Sequence, residues 1–212
     1  MMKKNKWKIL ITSMIALSPM LAGCILWSKL PDTIATHFGT DNTANGWSSK
    51  GFAVFGIPLL ITALHLFCLI VTSADPKIKN ISGKPLGIAF WICPSISILS
   101  GTVIYASAFE IPINIGFICG FFLGILFIVI GNYLPKCRQN YSFGIKIPWT
   151  LNDAENWNRT HRVAGWCMSI AGVTIAATSF LQNPWIFGIL LAISLLIPIV
   201  YSYTYFRRHK EK

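Results

Sequence analysis

Acidic residues are scarce in this chain. Its 212 residues include seven Asp and Glu together, and all charged residues make up 12% of the total. A soluble globular domain carries about 25%, so the supply of charge is too small to cover a large water-facing surface. Catalytic signatures are missing as well: the sequence contains no HExxH, no GxSxG and no Gly-rich phosphate loop, which removes the motif-based routes to an enzyme. No CxxC occurs among Cys24, Cys68, Cys93, Cys119, Cys137 and Cys167, so neither a zinc site nor a disulfide framework is indicated. No catalytic residue, metal or cofactor is assigned.

Apolar residues are abundant, at 54%. They gather in six blocks: Ile9–Ser28, Phe52–Thr72, Leu86–Ala108, Ile113–Leu134, Val163–Leu181 and Trp185–Tyr205. A bilayer-spanning helix needs about 20 such residues, because the hydrocarbon core is roughly 30 Å thick. None of the blocks contains Asp, Glu, Lys or Arg. Trp and Tyr cluster at their ends, the depth such rings prefer. Spanning strands would be half as long and alternate in polarity, so helices are the reading. Prolines 19, 58, 94 and 198 fall inside blocks, where kinks are expected.

The basic residues set the orientation. Lys3, Lys4, Lys6 and Lys8 precede the first block, and Lys77, Lys79 and Lys84 follow the second. Lys136, Arg138, Lys146, Arg159 and Arg162 follow the fourth, and Arg207, Arg208, Lys210 and Lys212 end the chain. Only Lys29 and Lys50 lie in the opposite loops. The positive-inside rule therefore places both termini in the cytoplasm. The expectation is an all-α integral membrane protein with six transmembrane helices, multi-pass in a bacterial cytoplasmic membrane, with one structured outer loop and one structured cytoplasmic loop. The net charge of +11 follows alternate loops rather than one patch. Topology and anionic lipid account for it, and direct nucleic-acid binding is not implied.

Two divisions follow: residues 1–75, a two-helix unit with the outer loop 29–51, and residues 76–212, a four-helix unit with the cytoplasmic loop 131–162. Leu21-Ala22-Gly23-Cys24 is similar to a lipoprotein cleavage box. Apolar Ile25, Leu26 and Trp27 follow it, which favours a chance match in an ordinary first span. His65 is an ionisable group inside the second block, and such groups are functional candidates by default. A hydrogen-bonded His facing other helices is favoured over a proton relay. The absence of any carboxylate from the blocks argues against an ion-coupled transporter. Gly116, Gly120 and Gly124 form a small-residue stripe suited to a close helix contact.

The outer loop carries turn signals at Pro31-Asp32 and Asn45-Gly46. Ile34 and Phe38 between them are expected anchors on the membrane face. The loose spacing of Asp32, His37 and Asp41 favours a folded cap over a metal site. In the cytoplasmic loop Pro135 ends the fourth span, and Thr150 with Asp153 reads as a helix start. Glu155 and Arg159 are placed to pair. Trp157, His161 and Ala164 fall on one helix face, so that helix is expected to run straight into the fifth span. Trp149 and Trp157 supply either a binding surface or an interfacial belt locking the loop to the bundle; the belt is favoured.

The cytoplasmic run GNYLPK, Asn140, FGIKIPWTL, NW and THR closely resembles the signature of the SdpI family of membrane proteins. The outer run LPDTIATHFG…NGW…K is similar to a small domain of unknown function that often precedes it. Together they cover about residues 10–205. The resemblance implies a non-enzymatic immunity protein that protects its cell from a secreted antimicrobial peptide. It further implies signal transduction by holding a small ArsR-like repressor at the membrane. Carried over by position, a repressor would meet Lys136, Asn140, Gly144, Pro148, Trp149, Thr150, Trp157, His161 and Arg162. A peptide toxin would meet Pro31, His37, Phe38, Gly46 and Trp47. The alternative is a small uncoupled transporter or channel, and a membrane-embedded enzyme comes third.

Overall fold

A computed structural model describes residues 1–81 and 83–210. Lys212, counted above among the basic residues, lies outside them, as do the side chains of Lys84 and Lys210. The chain runs through α1 (Lys6–Leu26), β1 (Thr33–Phe38), β2 (Ala44–Ser49) and a π-helical turn at Phe52–Gly56. It continues through α2 (Ile57–Ser73), α3 (Gly83–Ala108), α4 (Ile115–Tyr133) and a short α5 (Pro148–Leu151). The last two helices are α6 (Ala154–Thr178) and α7 (Pro184–Lys210). Among the described residues six helical segments are long and apolar enough to cross a membrane: Lys3–Lys29, Phe52–Ser73, Pro85–Ala108, Ile115–Lys136, Ala154–Leu181 and Pro184–His209. They match the six sequence blocks, and the protein is a multi-pass membrane protein. The fifth begins earlier than its apolar block because Asp153 caps α6 and starts the helix on polar residues.

The chain forms two compact units. One comprises Met1–Ser73 and Gly87–Gly116, so most of α3 packs with α1 and α2. On α2 the buried positions are Pro58, Thr62, His65, Leu69 and Thr72, a helical stripe in which three of five side chains are polar. Leu59, Leu60, Leu64, Phe67, Ile70 and Val71 point outward. This polarity is inverted relative to a soluble helix, as expected where the solvent is hydrocarbon. The α1 stripe is Thr12, Ala16, Pro19 and Gly23. α3 ties to it through the Ser97 hydroxyl donating to Ala16 O at 2.6 Å and the Tyr105 hydroxyl donating to Pro19 O at 2.6 Å. The carbonyl that Pro19 would leave free, Ile15 O, accepts from the Ser18 hydroxyl at 2.8 Å. Gly23 abuts Val54 and Tyr105, where a side chain would collide.

The structured loop of this unit is an antiparallel hairpin, with Ile34 opposite Ser48 and Ala35 opposite Trp47. Ile34 enters the apolar cluster of Leu30, Ala53, Val54 and Ile104. Asn42, at a positive φ of 62° in the hairpin turn, accepts from the Gly116 amide at 2.7 Å.

The second unit comprises Ala74–Leu86 and Phe117–Lys212. Its centre is a glycine-paired crossing of α4 and α6. A Cβ on Gly124 would lie 2.7 Å from Gly172 O, and one on Gly172 would lie 2.6 Å from Gly124 O. The relation repeats seven residues along at Gly131 and Gly165, at 2.8 and 2.7 Å. Backbones approach this closely only where no side chain intervenes. α7 joins α6 through Asn156, whose amide donates to Ser202 O at 3.1 Å and accepts from the Ser202 hydroxyl at 2.7 Å.

Candidate functional site

The densest polar structure in the second unit is the segment between α4 and α6. Proline at 135 stops α4, and a tight turn at Leu134–Lys136 redirects the chain. The Trp157 indole then donates to Cys137 O at 2.7 Å. Asn140 acts as a local splint: its amide donates to Arg138 O at 2.7 Å, while its carbonyl accepts from Ser142 N at 2.8 Å and Phe143 N at 2.6 Å. An Asn side chain that closes such a turn substitutes for missing backbone partners.

Gly144 follows at φ +104°, and a Cβ there would collide with His161 Nε2. The Ile145 amide donates to that same nitrogen at 3.0 Å, and His161 Nδ1 lies 2.8 Å from Trp157 O. A carbonyl can only accept, so Nδ1 carries the proton, and Nε2 must be a bare lone pair. The geometry therefore specifies a neutral ring and one tautomer. The ring also stacks on Trp157, with centroids 4.0 Å apart. The Thr150 hydroxyl sits 2.8 Å from Ile145 O and accepts from Ile147 N at 3.1 Å. Thr150 was expected to start the long helix with Asp153. Instead it lies within α5, and Asp153 alone is the cap, accepting from Glu155 N and Asn156 N. The Glu155–Arg159 pair forms at 2.8 Å.

A strap formed by residues 74–81 closes over this segment. Asp75 is buried, and its carboxylate accepts from Lys77 N at 2.7 Å, Tyr141 N at 2.9 Å and the Ser142 hydroxyl at 2.6 Å. The Asn80 amide donates to Gln139 O at 2.7 Å, and Lys77 Nζ donates to the Gln139 side chain. Gln139 in turn donates to Thr150 O and Leu151 O at 2.8 and 2.9 Å, carbonyls that the end of α5 leaves without helical partners. Buried carboxylates in apolar surroundings need such partners.

The structure thus brings Asn140, Gly144, Thr150, Trp157 and His161 into one knot, with all but the glycine fully buried. Trp149 is half-buried, meets Tyr203 edge-on and stacks on Phe206, with centroids at 5.4 and 5.9 Å. Lys136, Pro148 and Arg162 remain at the surface. Asp75, Lys77, Asn80, Gln139 and Ser202 were not singled out from sequence. Asp75 carries a signal in hindsight, because it is an isolated acid in a basic loop.

In the hairpin, Pro31, His37 and Trp47 are exposed, and Phe38 and Gly46 are half-buried. Gly46 faces His37, where a Cβ would meet His37 Cβ at 2.9 Å. His37 Nδ1 meets Asn45 Oδ1. Asp32 pairs with Lys50 at 3.1 Å. The Thr43 hydroxyl, followed by its amide, holds the Asp41 carboxyl below the usual range. These acids therefore turn to neighbours of their own rather than toward a common centre.

Six spanning helices, an end-face hairpin and a polar knot closing the α4–α6 connection define a multi-pass membrane protein whose distinctive chemistry is structural hydrogen bonding. The comparisons agree. Residues 136–202 match the SdpI/YfhL protein family, and residues 14–62 match a domain of unknown function (DUF1648). Residues 136–202 thus carry the SdpI-family pattern. It is 28% identical to the protein named Immunity protein SdpI from Bacillus subtilis (strain 168), over 98% of both chains. No solved structure matches it.

Proposed function

We propose that this protein is a non-enzymatic immunity protein of the bacterial cytoplasmic membrane, protecting its cell against a secreted antimicrobial peptide. The observation that carries this reading is the similarity to an immunity protein over 98% of each chain. The site is consistent with it. Asp75, His161, Thr150 and Asn140, the residues with chemistry to offer, are committed to holding backbone in place.

The basic loop faces the cytoplasm in this reading, by the positive-inside rule. The hairpin with His37, Phe38 and Trp47 then faces the peptide. Lys136, Pro148 and Arg162, on the surface of the knot, form the face open to a repressor. Signalling requires the peptide to bind one arrangement of the helices better than another, since a ligand shifts an equilibrium only by its differential affinity. Deleting the gene in its host and challenging the cells with the host's own secreted peptide fraction tests the role. Sensitivity should rise and return to normal on complementation; unchanged sensitivity overturns it. A reporter fused within residues 140–158 should read as cytoplasmic.

A further inference from the structure

Three carboxylates lie among the described residues of the second unit, and each is already engaged. Asp75 is buried and accepts from two amides and a hydroxyl. Asp153 caps α6, and Glu155 pairs with Arg159 at 2.8 Å. The unit's basic residues outnumber them.

Four of those cations gather where the strap of residues 74–81 closes on the signature loop. Lys77 Nζ donates to the Gln139 side chain and lies 5.5 Å from the centroid of the Tyr141 ring. Lys79 precedes Asn80, whose amide donates to Gln139 O at 2.7 Å, and Arg138 precedes Gln139. Successive Cα atoms are about 3.8 Å apart, so this one bond brings Lys79 and Arg138 together across the junction. Lys146 joins through Ser142: its Nζ donates to Ser142 O at 3.3 Å, and the Ser142 hydroxyl donates to Asp75 at 2.6 Å. Lys79, Arg138 and Lys146 are exposed. The side chains of Lys79 and Arg138 make no hydrogen bond or ion pair among the described residues.

Like charges held this close repel one another, and the one carboxylate at the junction is buried and fully partnered. An exposed group of this kind fits an anion. Depth decides which anion. Ser73 ends α2, Gly83 begins α3 and Tyr133 ends α4, all of them spanning helices. The junction is therefore confined to the headgroup layer of the bilayer. Tyr141, 46% exposed, is the kind of ring that this layer takes. The anion at that depth is a lipid phosphate, which Lys and Arg bind through charge-assisted hydrogen bonds. We propose that Lys77, Lys79, Arg138 and Lys146 form a binding site for the phosphate of an anionic phospholipid. The site is one junction, distinct from the general attraction of basic loops to anionic lipid, and it does not rest on the immunity reading.

The full chain in neutral detergent tests it, with phosphatidylglycerol, phosphatidylcholine or inorganic phosphate added. A lipid that binds only the folded chain, at about ten times its dissociation constant, raises the unfolding midpoint by about 3–6 °C. Phosphatidylglycerol should give that gain, and the other two should not. Lys79→Gln with Arg138→Gln removes two exposed charges, so it should keep the lipid-free midpoint and lose most of the gain. Lys79→Arg with Arg138→Lys should keep the gain, as should Lys3→Gln with Lys4→Gln in the other unit. An equal gain from phosphatidylcholine or from inorganic phosphate overturns the site. So does a Lys79→Gln, Arg138→Gln chain that keeps the gain, or an N-terminal variant that loses as much of it. A second measurement needs no variant. Phosphatidylglycerol with a photoreactive headgroup should crosslink the unmodified chain within residues 74–81 and 136–146 more than within residues 1–8. Equal or weaker labelling of the junction overturns the site.

Discussion

His161 accepts the Ile145 amide hydrogen on Nε2 at 3.0 Å, across sixteen residues of chain. That bond fixes the course of the segment after Gly144, because the imidazole occupies the space where a side chain at 144 would stand. A ring whose other nitrogen already donates to Trp157 O cannot offer Nε2 to an amide once it is protonated. The knot therefore depends on an uncharged imidazole.

Replacing Gly144 with alanine should be costly for two reasons that can be separated. The positive φ disfavours any L side chain, by about 1–3 kcal/mol, and the new Cβ strikes His161. In a His161→Ala background only the first penalty remains. The double variant should then lose less than the sum of the singles, measured as unfolding midpoints in a double-mutant cycle. Strict additivity would show that the ring and Gly144 do not share space.

Cys137 gives a pH-dependent signature of the same segment. Burial pushes its thiol up to about 11 from an ordinary 9.0. At pH 7 it should carry about 100-fold less thiolate than an exposed cysteine, and the thiolate is the reactive form. A water-soluble alkylating reagent should react slowly with Cys137 near neutrality and progressively faster as pH rises toward 11. The stability sign follows. A thiol pKa raised by folding leaves stability unaffected below pH 9 and lowers it between about 9 and 11, as the unfolded chain ionises first. Rapid labelling at pH 7 would show an ordinary, open thiol and contradict the half-buried position of Cys137.

The hairpin separates burial from charge. Ile34 is 1% exposed in an apolar cluster, so Ile34→Ala should cost about 2–5 kcal/mol. The Asp32 carboxylate that pairs with Lys50 is 99% exposed, so Asp32→Ala should leave the unfolding midpoint within error, because such pairs contribute little. Equal effects of the two changes would mean the hairpin is not seated on its cluster.

The spans were legible because bilayer thickness imposes one length and one composition on each. Of the Gly116, Gly120 and Gly124 stripe, Gly124 sits at the α4–α6 crossing, whereas Gly120 faces Phe187 and Ser179. The facing pair Gly172 and Gly165, and Gly131 on α4, were not legible: glycine seven apart carries no signal until a second helix is known to lie across it. The hairpin escaped because β1 buries only Ile34, and β2 reads Ala-Asn-Gly-Trp-Ser-Ser, with weak alternation. The signature residues were visible through resemblance, but their arrangement was not. Asn140 and His161 do their work through backbone amides. Asp75 acts on Ser142 from 67 residues away. No local pattern encodes such pairings.

Asp75 provides the sharpest check on the strap. Removing its carboxylate leaves the Lys77 amide, the Tyr141 amide and the Ser142 hydroxyl without their acceptor, each a loss of about 1–3 kcal/mol if water cannot replace it. Asp75→Ala should therefore loosen residues 74–81 and 137–143 together, while the spanning helices persist. Limited trypsin digestion of the membrane-inserted chain reads this directly, with faster cutting after Lys77 and Arg138. Ser142→Ala removes one donor and leaves the carboxylate's other two bonds, so it should give a smaller acceleration at the same two sites. Faster cutting at only one of them would show that strap and signature loop open independently, and that Asp75 does not join them.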